Sequence, residues 1–593
     1  MKLSDYVVEF IAQLGVRHVF MIPGGGAMHL NDSLGKCRRL TYICNLHEQG
    51  SAIAAEAYGQ YSGLGVVMVT SGPGGTNALT GVAGAWLEST PMLVISGQVK
   101  TSDLVGDRGV RQIGFQEIDI VAMAKPITKF AITVTDPARI RQCLEEAAWK
   151  ATHGRKGPVW VDIPLDVQAA DINPMGLDGF RLPKPDATSD SRIKAAALRA
   201  RDLLSGAQRP VVLAGNGIRH AGAIELFLKW AESIGIPILT TWKALDFLPD
   251  DHPLYVGRPG AVGQRAANFA QQKSDFFLSL GARLDNGQTA YNHRNFAPRA
   301  AKVIVDVDQA EIAKLQMPIA ASLAADAGTF LTELIDCSNG HSFPDWSEWR
   351  RRCGSWKRQY PTVLESYRSV SGGVHNYVLV ETIGRLLCSG DILVPGSSGA
   401  CSEVTAQAVP AAKGIRFINT HGLGSMGFGV PAALGACLAS GGERTVCIDG
   451  DGGFPMNAQE LAVISRLNLP IKFFVLNNGG YNSIRATQIN YFNRRFVACD
   501  SCSGLSFPDL ARTADSCGVV YRSIDSQCNL NEEVASILSE SGPVVCDVAM
   551  APDQFTQPKV SSKQQADGRM VTMPMEDLWP FLDRKEFDAI MAS

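Results

Sequence analysis

The chain has 593 residues, 46% apolar and 19% charged, which predicts three or four domains with several buried cores. A formal net charge of −3 gives no global electrostatic attraction to nucleic acid or to an anionic membrane. No run of 18 uninterrupted apolar residues predicts a membrane span, and residues 1–10, which include Lys2, Asp5 and Glu9, do not read as a signal peptide.

In chain order, residues 4–14 predict an amphipathic helix with Ser4 as N-cap and Val7, Val8, Ile11 and Leu14 on one face. Short apolar runs at 66–70, 92–96, 211–214, 276–280, 302–307, 445–448 and 472–476 read as strands buried on both faces. Helical stretches lie between them, so the fold class expected is α/β: consecutive doubly wound parallel-sheet domains. Prolines at 164–185 and a polar, aromatic, basic stretch at 338–360 suggest boundaries. They divide the chain into 1–170, 190–335 and 365–550, with a C-terminal arm over 551–593. Arg350, Arg351 and Arg352, beside Trp346, Trp349 and Trp356, read as a solvated helix face. Fourteen scattered cysteines, with one CxxC spacing (Cys499, Cys502) and no second pair, read as free thiols in a reducing cytoplasm.

The most informative stretch is Cys447-Ile448-Asp449-Gly450-Asp451-Gly452-Gly453. An apolar strand runs into Gly-Asp-Gly, and a second one ends in Leu476-Asn477-Asn478-Gly479-Gly480, with Asp451 and Asn478 27 residues apart (478 − 451). In a parallel sheet both strand ends reach the carboxyl edge, where ligands bind. A carboxylate, an amide oxygen and neighbouring carbonyls are hard donors suited to Mg²⁺, which keeps positions open for phosphate oxygens. Glycines let the backbone approach a diphosphate closely. Gly422-Leu423-Gly424-Ser425-Met426-Gly427 also fits the dinucleotide pattern G-x-G-x-x-G, but a nicotinamide reading leaves Gly-Asp-Gly and Asn-Asn unexplained.

Gly-Asp-Gly followed by Asn-Asn resembles the diphosphate motif of the thiamine diphosphate (ThDP) enzymes. The resemblance implies metal ligation by Asp451, Asn478 and the carbonyl of Gly480, with Gly450, Gly452 and Gly453 lining the diphosphate. Asn45-Leu46-His47-Glu48 resembles the segment carrying the family's activating glutamate. This implies that Glu48 shares a proton with the aminopyrimidine ring. Ser71-Gly72-Pro73-Gly74, continuing to Asn77, resembles the loop beside that ring. The stretch from Thr420 to Gly429 resembles the segment whose methionine, here Met426 near Gly424, wedges under the cofactor.

Within the family the chain is most similar to the acetolactate synthase group. Ile22-Pro23-Gly24-Gly25 looks like that group's first loop. Phe115-Gln116-Glu117 looks like its Phe-Gln-Glu segment, with Gln116 on the substrate side. The group also binds FAD. Gly215 and Gly217, Gly281 and Arg283, and Asp306 stand at turns that hold the flavin in such members, although the group's Asp-Asp-Arg is here Asp285-Asn286-Gly287. The group's Gly-Gln-His is Gly399-Ala400-Cys401, leaving Ser397 and Ser398 to meet the phosphates. Thr487 stands where the group's acceptor-selecting Trp is found, which predicts a wider acceptor pocket. Arg108 and Arg111 could face an acceptor's phosphates. The tail, with Pro558, Asp567-Gly568 and Pro574, is similar to ThDP proteins of nucleotide-sugar pathways. The expectation is a cytoplasmic homodimer or homotetramer with ThDP, Mg²⁺ and FAD. It decarboxylates pyruvate and passes the acetyl unit to a 2-oxo acid or to a larger ketone such as a nucleotide-linked ketosugar. The alternatives are a decarboxylase or C–C lyase without carboligation, and a non-catalytic cofactor-binding subunit.

Overall fold

The computed structural model describes residues 1–184, 189–552, 554–564 and 567–592; Pro185 and Ser593, which end two of the expected segments, lie outside them. Three six-stranded sheets follow one another, and every pairing within them is parallel. The first holds β1 (His18–Met21), β2 (Thr41–Cys44), β3 (Gly65–Val69), β4 (Met92–Gln98), β5 (Phe130–Thr133) and β6 (Pro158–Pro164), in the order β2-β1-β3-β4-β6-β5. The second holds β7 (Pro210–Ala214), β8 (Ile238–Thr240), β9 (Tyr255–Gly257), β10 (Phe276–Leu280), β11 (Ala301–Asp306) and β12 (Ala321–Ala324), in the order β12-β11-β10-β7-β8-β9. The third holds β13 (Ile392–Pro395), β14 (Arg416–Phe417), β15 (Thr445–Gly450), β16 (Ile471–Asn477), β17 (Val520–Ile524) and β18 (Val544–Ala549), in the order β14-β13-β15-β16-β18-β17. The α/β reading therefore holds, and the seven expected strands are β3, β4, β7, β10, β11, β15 and β16.

The topology says where ligands should sit. The first and third sheets share one strand order, which reverses between β1 and β3 and between β13 and β15. The second has the dinucleotide-binding order, reversing between β7 and β10. Crevices open beyond the strand ends at such reversals. Those strand ends lead into the Gly24, Ser71, Ser397, Asp451, Gly215 and Gly281 turns.

Central strands are buried along their whole length because helices cover both faces. Each buried Val, Ile, Leu or Phe there contributes about 1.5–3 kcal/mol relative to exposure. One core joins the first and third sheets, from Phe20 and Val67 to Leu434 and Phe473. Its seam is the helix Glu48–Ser62 against the helix Gly429–Ser440. A Cβ on Gly435 would lie 2.0 Å from the Ala54 carbonyl oxygen, so only glycine permits this approach.

Two local expectations change, and the C-terminal arm finds its place. The first helix is Leu3–Gln13 with Lys2 at its N-cap. Ser4 lies buried in the first turn, where its Oγ accepts from Ser33 Oγ at 2.9 Å. The segment 338–360 carries the helix Ser347–Gln359, whose Trp349, Cys353 and Trp356 enter the central core while Arg351 stays in solvent. Trp346 and Trp349 donate to the carbonyls of Ala207 and Pro210, so this helix packs on the second sheet. The C-terminal arm also packs on its own chain. Val560 N donates to Ala261 O at 2.7 Å, Asn268 Nδ2 to Met575 O at 2.6 Å, and Lys273 Nζ to Ile590 O at 2.7 Å.

Candidate active site

At the β13/β15 reversal, Asp451 follows β15 and is buried. Its Oδ2 accepts from the backbone N–H groups of Asn478 (3.1 Å), Gly479 (2.7 Å) and Gly480 (3.1 Å). Burial raises its carboxyl to about 6, and the three backbone donors oppose the rise. Asn478 Oδ1 accepts from Arg485 at 3.1 Å and keeps a second lone pair. Gly480 needs its φ of +153°, because a Cβ there would lie 2.1 Å from Cys499 O. Among the described residues no cluster of three His, Cys, Asp or Glu could hold a metal. One carboxylate, one amide and one carbonyl form instead an oxygen donor set of the kind Mg²⁺ completes with phosphate and water.

Ser397 Oγ, also beyond a strand end of this sheet, is buried and has no partner among the described residues, so it is free to donate to a phosphate. Ser398 is already engaged: its Oγ accepts from Cys401 N at 3.2 Å and caps the turn Gly399–Glu403. Of the two serines, Ser397 therefore suits a phosphate oxygen. Asp449 also has a buried, unpartnered Oδ2. Cβ atoms on Gly396, Gly429 and Gly453 would come within 2.0–2.8 Å of its carboxylate. A Cβ on Gly452 would meet the Tyr481 ring at 2.5 Å, whereas one on Gly450 would stand 3.7 Å from Cys401 Sγ. The free Ser397 hydroxyl and the oxygen donor set around Asp451 fit a metal-bound diphosphate, while the glycines let Asp449 and Tyr481 pack closely beside it.

Glu48 opens the helix Glu48–Ser62 behind His47, whose ring nitrogen caps Gln49 N at 3.0 Å. Glu48 is half-buried and its Oε2 accepts from Asn77 Nδ2 at 3.0 Å, so two predicted site residues meet directly. The β1/β3 turns lie alongside. Gly24 packs on Thr70 where a Cβ would clash at 2.5 Å, Gly25 borders open space, and Gly72 has φ +58°. A Cβ on Gly72 would meet the Gln116 carbonyl at 2.5 Å, and a Cβ on Gly74 would meet Thr70 at 2.8 Å. Ser71 is buried, and Pro73 starts the next helix. Gln116 itself is exposed at φ +62°, next to a Phe115 that is 86% exposed.

Sequence reasoning missed the groups that hold these pieces in place. Glu460 takes Asn45 Nδ2 (2.8 Å), Leu46 N (3.0 Å) and His47 N (3.1 Å), fixing the turn before Glu48 from the third-sheet domain. Gly50 leaves room for it, since a Cβ would lie 2.6 Å from its Oε1. Asn457 links Gln49 Oε1 (3.3 Å) to Gly427 O (2.8 Å) and so ties Glu48's helix to the Met426 loop. Met426 is 37% exposed, so it is not a core methionine. Gly424 turns that loop at φ +59°. Thr487 is exposed on the helix Asn482–Tyr491, and its hydroxyl donates to Ser483 O at 3.1 Å.

The β7/β10 reversal carries a cavity of about 470 Å³, within the range of cofactor sites. Gly217, Gly281, Arg283 and Asp306 line it; Gly215 does not, and packs behind on Gly281 instead. Arg155, Lys156, Trp242 and Lys243 complete the wall with His421 and Gly422 from the Met426 loop. Arg283 and Leu284 hold φ of +58° and +50°, and Arg283 donates to Leu87 O across the domain seam.

A charged cluster underlies this wall. Glu88 Oε1 accepts from His421 N at 2.6 Å and from Gly422 N at 2.5 Å, and Oε2 meets Lys243 Nζ at 2.7 Å. Burial would raise Glu88, but Lys243 and the backbone donor outweigh it and hold it below its ordinary value. Glu56 beside it is raised to about 8, first by burial and then by the Glu88 charge. An acid whose folded pKa is raised favours folding while neutral. Its contribution is complete below its ordinary value of 4.5 and is lost as pH rises towards 8. Glu56→Gln should therefore flatten the fall in thermal midpoint between pH 5 and 8.5, and melting curves with the wild-type slope would contradict this.

Three family profiles match the chain: "Thiamine pyrophosphate enzyme, N-terminal TPP binding domain" over residues 1–123, the corresponding central domain over 198–334, and the C-terminal TPP binding domain over 397–548. Acetolactate synthase 2, chloroplastic, of Zea mays is 34% identical over 95% of this chain and 87% of its own. An acetolactate synthase of Mycobacterium bovis is 33% identical over 95% and 90%. The acetolactate synthase large subunit of Lactococcus lactis is 30% identical over 95% of both chains.

Proposed function

We infer the reaction from one premise: the chain belongs to the thiamine pyrophosphate (thiamine diphosphate) enzymes and is similar to acetolactate synthases along nearly its whole length. It decarboxylates pyruvate and joins the remaining two-carbon acetyl unit to the carbonyl carbon of an acceptor. The observation that carries this reading is that one chain holds both halves of the machinery: Glu48 on Asn77, and Asp451 with Asn478 and Gly480 at a strand-order reversal. Bound thiamine diphosphate supplies the electron sink that accepts the pair left by departing CO₂.

The protein's own residues do the rest. Asp451, Asn478 Oδ1 and the Gly480 carbonyl hold Mg²⁺, and Ser397 takes a phosphate oxygen. Glu48, oriented by Asn77, would hold a proton for the aminopyrimidine, and Met426 would pack against the cofactor. Gln116 lies on the substrate side. The acceptor is a ketone larger than a 2-oxo acid, a nucleotide-linked ketosugar. Thr487 supports this, because its short, exposed side chain leaves the space that an indole would fill.

The cavity at the β7/β10 reversal would hold FAD in a structural role. The dinucleotide strand order, the 470 Å³ volume, Arg155, Lys156 and Arg283 for a diphosphate, and Asp306 for a ribose support it. The working form is at least a homodimer. Phe115, Leu46 at 57% exposure and Met28 at 49% are exposed apolar side chains on the segments that carry Gln116, Glu48 and Gly25, and a second chain would cover them. Fourteen free cysteines support a reducing, cytoplasmic setting, and no helix among the described residues is long and apolar enough to cross a membrane.

The test is CO₂ release from pyruvate with ThDP and Mg²⁺, with and without added ketones. Release stimulated by a nucleotide-linked ketosugar is the expected result. Stimulation by 2-oxo acids alone would return the acceptor to the acetolactate type. Absence of CO₂ under all conditions would overturn the reading.

A further inference from the structure

The metal turn carries an excursion of which the roles above use only Thr487 and Arg485. It leaves at Gly480 and returns at Asp500, closed by a bridge between those residues and by Tyr481 N donating to Cys499 O at 2.9 Å. In between stand the ten-residue helix Asn482–Tyr491 and a loop over 492–498. At a rise of about 1.5 Å per residue the helix carries the loop about 15 Å from the metal turn.

The loop holds a strained backbone and leaves its aromatic side chains partly in solvent. Asn493, Arg494 and Ala498 have φ of +52°, +61° and +48°, and every residue from 491 to 498 is exposed. Gln488 holds it there. Its Nε2 donates to Val497 O at 3.2 Å, its Oε1 accepts from Val497 N at 3.1 Å, and its carbonyl accepts from Phe492 N and Arg494 N. Strain kept in an exposed, clamped segment points to a ligand rather than to packing. Tyr491, Phe492 and Phe496 are 58%, 51% and 37% exposed. The guanidinium groups of Arg494 and Arg495 have no acidic partner among the described residues. Arg485, in the first turn of the helix, is already bound to Asn478.

We propose that this finger binds the nucleoside diphosphate of the acceptor, with Arg494 and Arg495 on the phosphates and Tyr491 or Phe492 stacked on the base. The proposal rests on the nucleotide-linked acceptor inferred above. Guanidinium forks match phosphate geometry, and an aromatic face takes any base. A sugar, two phosphates and a ribose in line bridge the span from the metal turn to the loop, so the ketone would reach the reacting end.

The test is calorimetric titration of the holoenzyme, saturated with ThDP, Mg²⁺ and FAD, with UDP, dTDP, CDP, GDP and, separately, inorganic pyrophosphate. At least one nucleoside diphosphate should bind, at least tenfold tighter than pyrophosphate. Arg494→Ser with Arg495→Ser should weaken it at least tenfold. Gln488→Ala, which keeps both charges but frees the loop, should weaken it as well, and serves if the double variant does not fold. No binding, binding no tighter than pyrophosphate, or wild-type affinity in both variants would overturn the proposal. So would a change in oligomer mass with unchanged affinity, which would make the loop a contact between copies. CO₂ release from pyruvate in the same preparation reports separately on the carboligase reading.

Discussion

Glu48→Gln lowers turnover about 10²–10⁴-fold while ThDP affinity stays within a few-fold of wild type. The substitution keeps size and shape, and a glutamine oxygen can still accept from Asn77 Nδ2, which stands 3.0 Å from Glu48 Oε2. The turn before it is held independently through Asn45, Leu46 and His47 on Glu460, so the backbone has no reason to move. What is lost is a carboxyl able to hold and return a proton at the ring, something an amide cannot do. Steady-state CO₂ release together with a ThDP titration followed by tryptophan fluorescence checks both halves. Wild-type turnover would remove Glu48 from the chemistry. Lost turnover with equally lost affinity would make it a structural residue.

Asp451→Ala acts on retention. It removes the only carboxylate of the proposed metal set and leaves the N–H groups of Asn478, Gly479 and Gly480 without their shared acceptor. Each donor left buried and unpaired costs about 1–3 kcal/mol, so the metal turn should loosen as well. ThDP affinity at fixed Mg²⁺ is expected to fall about 100-fold, or about 2.7 kcal/mol. Asp451→Asn should separate the two effects, because it keeps an acceptor for the backbone and loses the charge. It should restore the thermal midpoint and only part of the affinity. Unchanged affinity in the alanine variant would place the metal elsewhere.

The sequence made legible whatever is local and periodic. β15 and β16 announce themselves as apolar runs, and Gly450, Asp451, Asn478 and Gly480 follow from the strand ends. What escaped depends on tertiary contact. Glu460 clamps His47 from 413 residues away and carries no motif. Glu88 reads as one more helix-end acid until Lys243 and the Met426 loop are seen to converge on it. Arg155 and Lys156 face the β7/β10 cavity from a neighbouring domain, so no turn within the middle block announces them. The tryptophans of 346–356 looked like a boundary because their helix has a charged face, yet its other face sits in the central core. Ser4 has cap chemistry, but Lys2 occupies the cap position and Ser4 serves Ser33 instead. Between Ser397 and Ser398, only geometry distinguishes the free hydroxyl from the one that caps its own turn.

The most direct measurement is the fate of carbon in pyruvate labelled with ¹³C at positions 2 and 3, incubated with the holoenzyme and a nucleotide-linked ketosugar. One C–C bond breaks to release unlabelled CO₂, one forms to the acceptor's carbonyl carbon, and that oxygen gains a proton. The account predicts one labelled acetyl group per CO₂, coupled in the carbon spectrum to a new tertiary alcohol. Label found only in acetaldehyde or acetate, with the ketosugar unchanged, would contradict it.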